Sequence, residues 1–372
     1  MPKLNYHNDP RTVMTLDAGG TNFVFSAIQG NEEIVEEITV PSNADNLDRC
    51  LAGMVEGFSA VRARLPRPPV AISFAFPGPA DYPSGIIGDL GNLPAFRGGV
   101  ALGPMLEEEF RLPVFINNDG DLYAFGEALA GFLPQVNWWL EQAGSPKRYR
   151  NLLGLTLGTG FGAGIVHDGR LLRGDNSIAG EIWLLRDKVR PEMNIEEHAS
   201  IRGIRRVYAR EAGIAMDEAP SPKEIFAIAK GAGPGDSSAA LKAFREMGEA
   251  IGDAIANAIT LIDGLVVMGG GLAGAADVFL PFVVDEMNGT FTRPDGTRFR
   301  RLVANVYNLE RDGERENFLR GSTRRIAVHG SGRTVQYDPE MRIGVGISKL
   351  GTSKAVSIGA YAFALQSLDH RA

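Results

Sequence analysis

Two strand-like runs, each broken by a glycine-rich turn and resumed beyond it, organise the hydrophobic pattern of this chain. Val13 to Leu16 leads into Asp17-Ala18-Gly19-Gly20-Thr21-Asn22 and continues through Phe23 to Ile28. Leu152 to Leu157 leads into Gly158-Thr159-Gly160-Phe161-Gly162 and continues through Ala163 to Val166. Each predicts strand, tight turn, strand. Residues 12–39 read as a three-strand meander. Leu47, Leu51, Met54, Phe58, Val61 and Leu65 recur at spacings of three and four, which predicts a helix over about 44–65. Pro66-Arg67-Pro68-Pro69 ends it. A buried strand, Val70 to Phe76, runs into Pro77-Gly78-Pro79 and a loop-rich stretch over 80–103.

Val114 to Ile116 predicts another strand, followed by a helix beginning near Asp119. Residues 133–150, with Trp138 and Trp139, read as a surface insertion, and 196–262 as mostly helical. Phe244, Gly248, Ile251, Ile255, Ile259 and Ile262 line one face of the last of those helices. A short buried strand, Leu265 to Met268, precedes Gly269-Gly270-Gly271 and a helix from about 275. Residues 290–345 hold eleven arginines and no lysine and read as an inserted β-rich element; Thr352 to Leu365 reads as a helix. The recurrence of strand, glycine turn and strand points to an internal duplication.

At 372 residues, 44% of them hydrophobic, the chain has core enough for two domains. The net charge of −7 supplies no basic footprint for nucleic acid. It does not exclude ATP, because phosphate sites are also built from backbone amides. A single cysteine, Cys50, rules out an intrachain disulfide and a multi-cysteine metal site, and its place in the 47–65 pattern makes it a core residue. Met1 to Arg11 is polar, and the most apolar long stretch, Ala258 to Val284, carries Asp263, Asp277 and five glycines. A cytoplasmic protein with neither leader nor membrane span is expected.

The turns carry the chemistry. Glycine lets backbone N–H groups close on phosphate oxygens. Asp17, at a strand end just before Gly19, Gly20 and Thr21, is placed to hold Mg²⁺ through water; the alternative is a local Asx turn. Asp119, after Asn117 and Asn118, is either a general base for an attacking alcohol or part of a helix cap. Asn92, Asn118, Glu181 and Glu196 suit a polyol. Gly269, Gly270 and Gly271 admit a flat ring or simply make a βα turn. His198 has no neighbours at metal-ligand spacing and reads as a packed residue. There is no Gly-x-x-x-x-Gly-Lys-Ser/Thr loop, and Gly158 to Gly162 does not open a helix as a dinucleotide fingerprint would.

Taken together, these motifs resemble the ROK family (repressors, uncharacterised frames and sugar kinases) of the actin/hexokinase/Hsp70 ATPase superfamily. Asp17-Ala-Gly-Gly-Thr21 and Leu157-Gly-Thr-Gly-Phe-Gly162 resemble its two phosphate motifs. Phe76-Pro-Gly-Pro79 with Gly91-Asn-Leu-Pro94 resembles its sugar-side segment. Asn118-Asp119-Gly-Asp121 resembles the segment holding the catalytic base, Ala179-Gly-Glu-Ile182 its Gly-Glu-Ile-Gly-His segment, and Met268-Gly-Gly-Gly271 its adenosine motif. Three positions depart. Leu184 stands where the family has a histidine, the Arg186 to Ile195 loop replaces a cysteine-rich zinc loop, and Asn22 stands where Lys or Arg is common.

The resemblance implies an α/β, two-lobed actin-like ATPase (ribonuclease H-like) fold with an interdomain cleft. The small lobe would be 12–118 plus the C-terminal helix 352–366. The large lobe would be 119–350 with the insertion at about 290–345. It implies an ATP-dependent hexose kinase acting on O6, with N-acetylhexosamine kinase or fructokinase as alternatives. Asp119 would be the base. Asp17, Gly19, Gly20, Thr21, Gly158, Thr159, Gly160, Gly269, Gly270 and Gly271 would bind Mg·ATP. Gly78, Asn92, Asn118, Asp119, Glu181 and Glu196 would bind the hexose or hexosamine. A homodimer without nucleic-acid or membrane partners is expected. A sugar-responsive repressor would need a helix-turn-helix before the first phosphate motif, where only 16 residues precede Asp17. A non-catalytic sugar-binding protein would lack the base that Asp119 supplies. With no clustered cysteine or histidine, the purified protein is predicted to carry no stoichiometric zinc. One zinc per chain by elemental analysis after exhaustive dialysis refutes this.

Overall fold

A computed structural model describes residues 6–78, 80–88 and 94–371, and in it the chain divides into two compact units. The first comprises residues up to Gly131, Gly164–Gly180 and the segment from Leu350; the second comprises Phe132–Ala163 and Glu181–Lys349. The sequence reading set the lobe boundary at 118/119, whereas the helix Asp119–Leu129 stays with the first unit.

In the first unit, Thr12–Ala18 pairs antiparallel with Asn22–Gln29, which also carries Glu32–Glu33 and Ile38–Pro41 on its far edge. On its other side Thr12–Ala18 pairs in parallel with Ala71–Ala75, and that strand pairs in parallel with Val114–Asn117. Ala71–Ala75 is buried throughout, as a central parallel strand must be. Helix Leu47–Arg64 starts at the Asn46 cap, whose side chain accepts the Arg49 N–H, and turns Cys50, Met54, Phe58 and Val61 into the core. Burial pushes the Cys50 thiol up to about 11. Phe23, Phe25, Phe58, Phe74, Phe76 and Phe96 form a chain of ring contacts through this core.

The second unit repeats the plan. Strand Leu152–Leu157 neighbours Phe161–His167 on one side and pairs in parallel with Leu265–Gly269 on the other. Arg342–Ile347 and then Asn305–Asn308 extend the parallel set. Two expectations are corrected here. Residues 290–345 are not one inserted β element: Asn305–Asn308 and Arg342–Ile347 belong to the main sheet and Asp312–Arg320 is a helix, leaving only two hairpins, Thr290–Arg300 and Arg324–Tyr337, outside it. Residues 133–150 are not merely surface: Phe132–Gln142 is a helix that buries Leu133, Val136 and Leu140 beneath the exposed Trp138. No helix among the described residues is long and apolar enough to cross a membrane.

The C-terminal helix, Thr352–Arg371, lies against the helix Asp119–Leu129 with backbones in contact. A Cβ on Gly126 would stand 1.9 Å from the Ala355 carbonyl oxygen, and one on Gly359 1.9 Å from that of Leu122. Neither glycine has room for a methyl group. Gly359→Ala is therefore predicted to lower stability by about 1–3 kcal/mol through overpacking. Chemical denaturation checks it; a loss under ~0.5 kcal/mol, the range of a neutral surface change, refutes it.

Candidate active site

Three strands of the first unit end in one row. Asp17 is in register with Ala75, and Ala75 with Asn117. The chain leaves these ends as the first glycine turn, the Phe76-Pro77-Gly78 segment and the Asn118-Asp119 helix start. This is the carboxyl edge of a parallel sheet, where α/β folds bind their ligands. Gly19, Gly20 and Thr21 are exposed there. Gly19 is required by the tight turn, since a Cβ would meet the Asn22 carbonyl oxygen at 2.8 Å, while the space over Gly20 is open. Ser42 pins the turn: its N–H donates to the Thr21 carbonyl at 2.9 Å and its hydroxyl to that of Gly20 at 2.7 Å.

Asp17 and Asp119 both reach solvent at this edge. Partial burial of its carboxylate raises the Asp17 pKa above the usual range, and the charge of Asp119 raises it further. Two carboxylates this close favour a cation, so the residues present fit Mg²⁺ accompanying a polyphosphate. Asn118 caps the following helix, its Oδ1 accepting the Gly120 N–H at 2.8 Å. Asp119 Oδ1 shares that donor at 2.8 Å, and Asp119 Oδ2 has no partner among the described residues. Asn117 beneath them is 0% exposed, and neither atom of its amide finds a hydrogen bond. Gly78 lies close to the Tyr82 ring: a Cβ would meet the hydroxyl oxygen at 2.3 Å, and that hydroxyl donates to the Phe76 carbonyl at 2.9 Å. Asn92 lies outside the described residues.

In the second unit the second glycine turn is tied to the start of the helix Ile201–Ala212. Glu196 Oε2 accepts the Phe161 N–H at 3.0 Å, and the Ile201 N–H donates to the Gly158 carbonyl at 2.9 Å. Thr159, at the tip, is exposed. Glu197 points elsewhere, bonded to Arg202, which holds its carboxyl below the usual range, and to Arg206. Glu181 follows Gly180, whose φ of 91° is open to glycine, and its Oε2 accepts the Trp183 indole N–H. Leu184 is 59% exposed.

The Arg186–Ile195 loop closes on a buried carboxylate–imidazole contact. Asp187 Oδ1 accepts the N–H groups of Val189 and Arg190 at 2.7 and 2.9 Å, and its Oδ2 meets His198 Nδ1. Gly270, at φ 89°, packs onto Leu157, where a Cβ would meet the carbonyl oxygen at 2.3 Å; above Gly271 the space is open. A 380 Å³ cleft opens beyond this motif, lined by Phe226, Gly274, Asn308, Glu310, Ile347 and Lys349 among others. It lies past the carboxyl ends of Leu265–Gly269, Arg342–Ile347 and Asn305–Asn308, and its size and partly apolar walls suit a nucleoside.

Each unit thus gathers part of the expected set. The first holds Asp17, Gly19, Gly20, Thr21, Gly78, Asn118 and Asp119; the second holds Gly158, Thr159, Gly160, Glu181, Glu196, Gly269, Gly270 and Gly271. Sequence reasoning did not find Ser42, Trp183 or Asp187. Each acts through polar contacts that no spacing announces. For Asp187 the weak signal was an acid, one of two with Glu192, in a loop without cysteine.

Fold and site together define an ATP-dependent sugar kinase of the two-lobed actin-like ATPase fold. The chain belongs to the ROK family, whose profile matches residues 13–308. It is similar to the crystal structure of a glucokinase from Parabacteroides distasonis, with 57% identity, a TM-score of 0.90 and coverage of 97% of this chain and 99% of that one. It is 29% identical to a glucokinase of Halalkalibacterium halodurans over 78% of this chain and 90% of the relative. It is 28% identical to an N-acetyl-D-glucosamine kinase of Vibrio parahaemolyticus over 69% and 83%.

The raised Asp17 pKa has a sign that can be tested. Its ionised form is disfavoured in the folded chain, so the folded pKa lies above the unfolded value of about 3.9. The stability associated with this group is full below that value and is lost as pH rises through the folded pKa. Asparagine escapes the loss. Without ligands, Asp17→Asn is predicted to melt above wild type at neutral pH, the gap closing as pH falls toward the unfolded value. Thermal melts across pH check this; a variant that melts at or below wild type at neutral pH refutes it.

Proposed function

We propose that this kinase transfers the γ-phosphoryl group of ATP to a hexose, at O6 of an aldohexose, with glucose the leading acceptor. One observation carries the reading. Asp119 keeps a carboxylate oxygen unengaged at the carboxyl edge of the sheet, beside Asp17, while Asn118 supplies the helix cap. A cap alone does not need both.

The acceptor hydroxyl gives its proton to Asp119 Oδ2 as its oxygen bonds to the γ-phosphorus. The bond from that phosphorus to the β–γ bridging oxygen breaks, and ADP leaves with the electron pair. The turns at Gly19–Thr21 and Gly158–Gly160 point N–H groups and the Thr21 and Thr159 hydroxyls at phosphate oxygens. Mg²⁺ held through water by Asp17 would offset phosphate charge. Gly269 to Gly271 face the nucleoside. Gly78, Asn92, Asn118, Glu181 and Glu196 hold the sugar. A cytoplasmic location belongs to the same reading, because ATP is the donor.

A second reading rests on the segment after Glu181. Trp183 occupies that carboxylate, and the exposed Leu184 offers no hydrogen bond where the family has histidine. The sugar contacts of this segment therefore differ from the family pattern, which keeps N-acetylglucosamine, N-acetylmannosamine and fructose as candidate acceptors.

A coupled ADP-release assay over hexoses and N-acetylhexosamines tests the reading; no acceptor raising ADP release above the ATP-only baseline would sink it. With the best acceptor, Asp119→Asn is predicted to lower kcat by roughly 10²–10⁴-fold while sugar affinity stays within a few-fold. Retention of more than about a tenth of wild-type kcat, well above that general-base expectation, refutes the assignment of the base.

A further inference from the structure

The two hairpins outside the main sheet of the second unit have no role in the site. Thr290–Thr292 pairs with Arg298–Arg300, and Arg324–Ala327 with Thr334–Tyr337. All four strands are exposed along their whole length. A two-stranded hairpin exposed on both faces buries too little to hold its shape in water. These hairpins are nonetheless amphipathic. In the first, the register sets Phe291 opposite Phe299 on one face, with Thr290, Thr292, Arg298 and Arg300 on the other. In the second, Ile326 stands opposite Val335 and Arg324 opposite Tyr337, with Arg325, Gln336, Ala327 and Thr334 behind. Five apolar side chains on these faces, Phe291, Phe299, Ile326, Val335 and Tyr337, are 39–47% exposed.

Charge says what covers them. Residues 290–300 and 324–337 carry Arg293, Arg298, Arg300, Arg324, Arg325 and Arg333 against one acid, Asp295. That is +5 on a chain of net −7, leaving −12 on the rest. Arg206, Arg210, Arg301 and Arg342 all hold carboxylates. None of the six hairpin arginines is in an ion pair among the described residues; Arg293 and Arg324 instead lie over Phe299 and Tyr337 at 4.6 and 5.7 Å. A surface both apolar and cationic fits an acidic protein surface, and the remainder of this chain is one. The same −12 repels a nucleic acid.

We propose that the two hairpins are arms that seat their apolar faces on a second copy of this chain, with their arginines meeting its carboxylates. The contact is isologous, so each copy both gives and receives an arm, and the assembly closes.

Sedimentation velocity and light scattering of the full chain, from submicromolar to tens of micromolar, test this. An assembly that is a multiple of the 40.0 kDa chain is expected, weakened by high salt. Phe291→Ser/Phe299→Ser and Ile326→Ser/Val335→Ser should each weaken association at least about tenfold, with the circular dichroism spectrum unchanged. Arg324→Glu/Arg325→Glu, which leaves the apolar faces intact, should do the same. A 40.0 kDa monomer at every concentration overturns the proposal. So does an association constant unmoved in all three variants, or assembly that appears only with an added oligonucleotide. The readout is mass, so a failed kinase assay leaves the result standing.

Discussion

The placement of the helix that begins at Asp119 rests on backbone touching backbone. The C-terminal helix meets the helix Asp119–Leu129 at Gly126 and Gly359, at distances no side chain could share. A third contact of this kind lies at the helix start, where a Cβ on Gly164 would stand 2.4 Å from the Gly120 carbonyl oxygen. Rotamer changes cannot relax such contacts. They therefore hold Asp119 in place more firmly than packing of ordinary side chains would. Register supplies the rest: the row Asp17, Ala75, Asn117 sets the spacing between the first turn and Asp119 in units of the strand separation.

On that rigid frame the chain keeps two unfavourable features. Asp17 carries its charge in a partly desolvated position beside Asp119, and the Asn117 amide is buried without a hydrogen bond. An unsatisfied buried polar group alone costs about 1–3 kcal/mol. Asp17 sits at the exposed edge, where a cation would compensate its charge, whereas the Asn117 amide is fully enclosed. A site that is poor for the empty protein and good for the loaded one favours binding, and the stability lost there is recovered in the close-packed aromatic core behind it.

What could be read in advance follows from how local each signal was. The two glycine hairpins, the helix around Cys50 and the strand before Gly269 announced themselves, because period and turn chemistry are local. The region 290–345 misled, since its arginine content stood out while Asn305–Asn308 and Arg342–Ile347, only four and six residues long, look alike whether a strand sits in a core sheet or in a stray hairpin. Trp138 and Trp139 drew the eye from the i, i+3, i+4 buried face of Leu133, Val136 and Leu140. Ser42 and Asp187 were illegible for a different reason: their partners are reached only once the chain has folded.

The loop before Glu196 shows how one structural task can change chemistry. The ROK resemblance leads one to expect a cysteine-rich zinc loop here; this chain has Asp187 and His198 instead, both essentially inaccessible. Asp187 gathers two loop N–H groups and the imidazole on one carboxylate, as a metal would gather ligands. His198 stands two residues after Glu196, and its N–H donates to the Ile195 carbonyl at 2.9 Å. The pair therefore anchors the short helical turn from which Glu196 reaches the Phe161 N–H of the second glycine turn. Removing one partner of a buried pair is costly because the other is left uncompensated. In this chain the pair, with no sulfur ligand, ties the loop to the turn that holds Glu196.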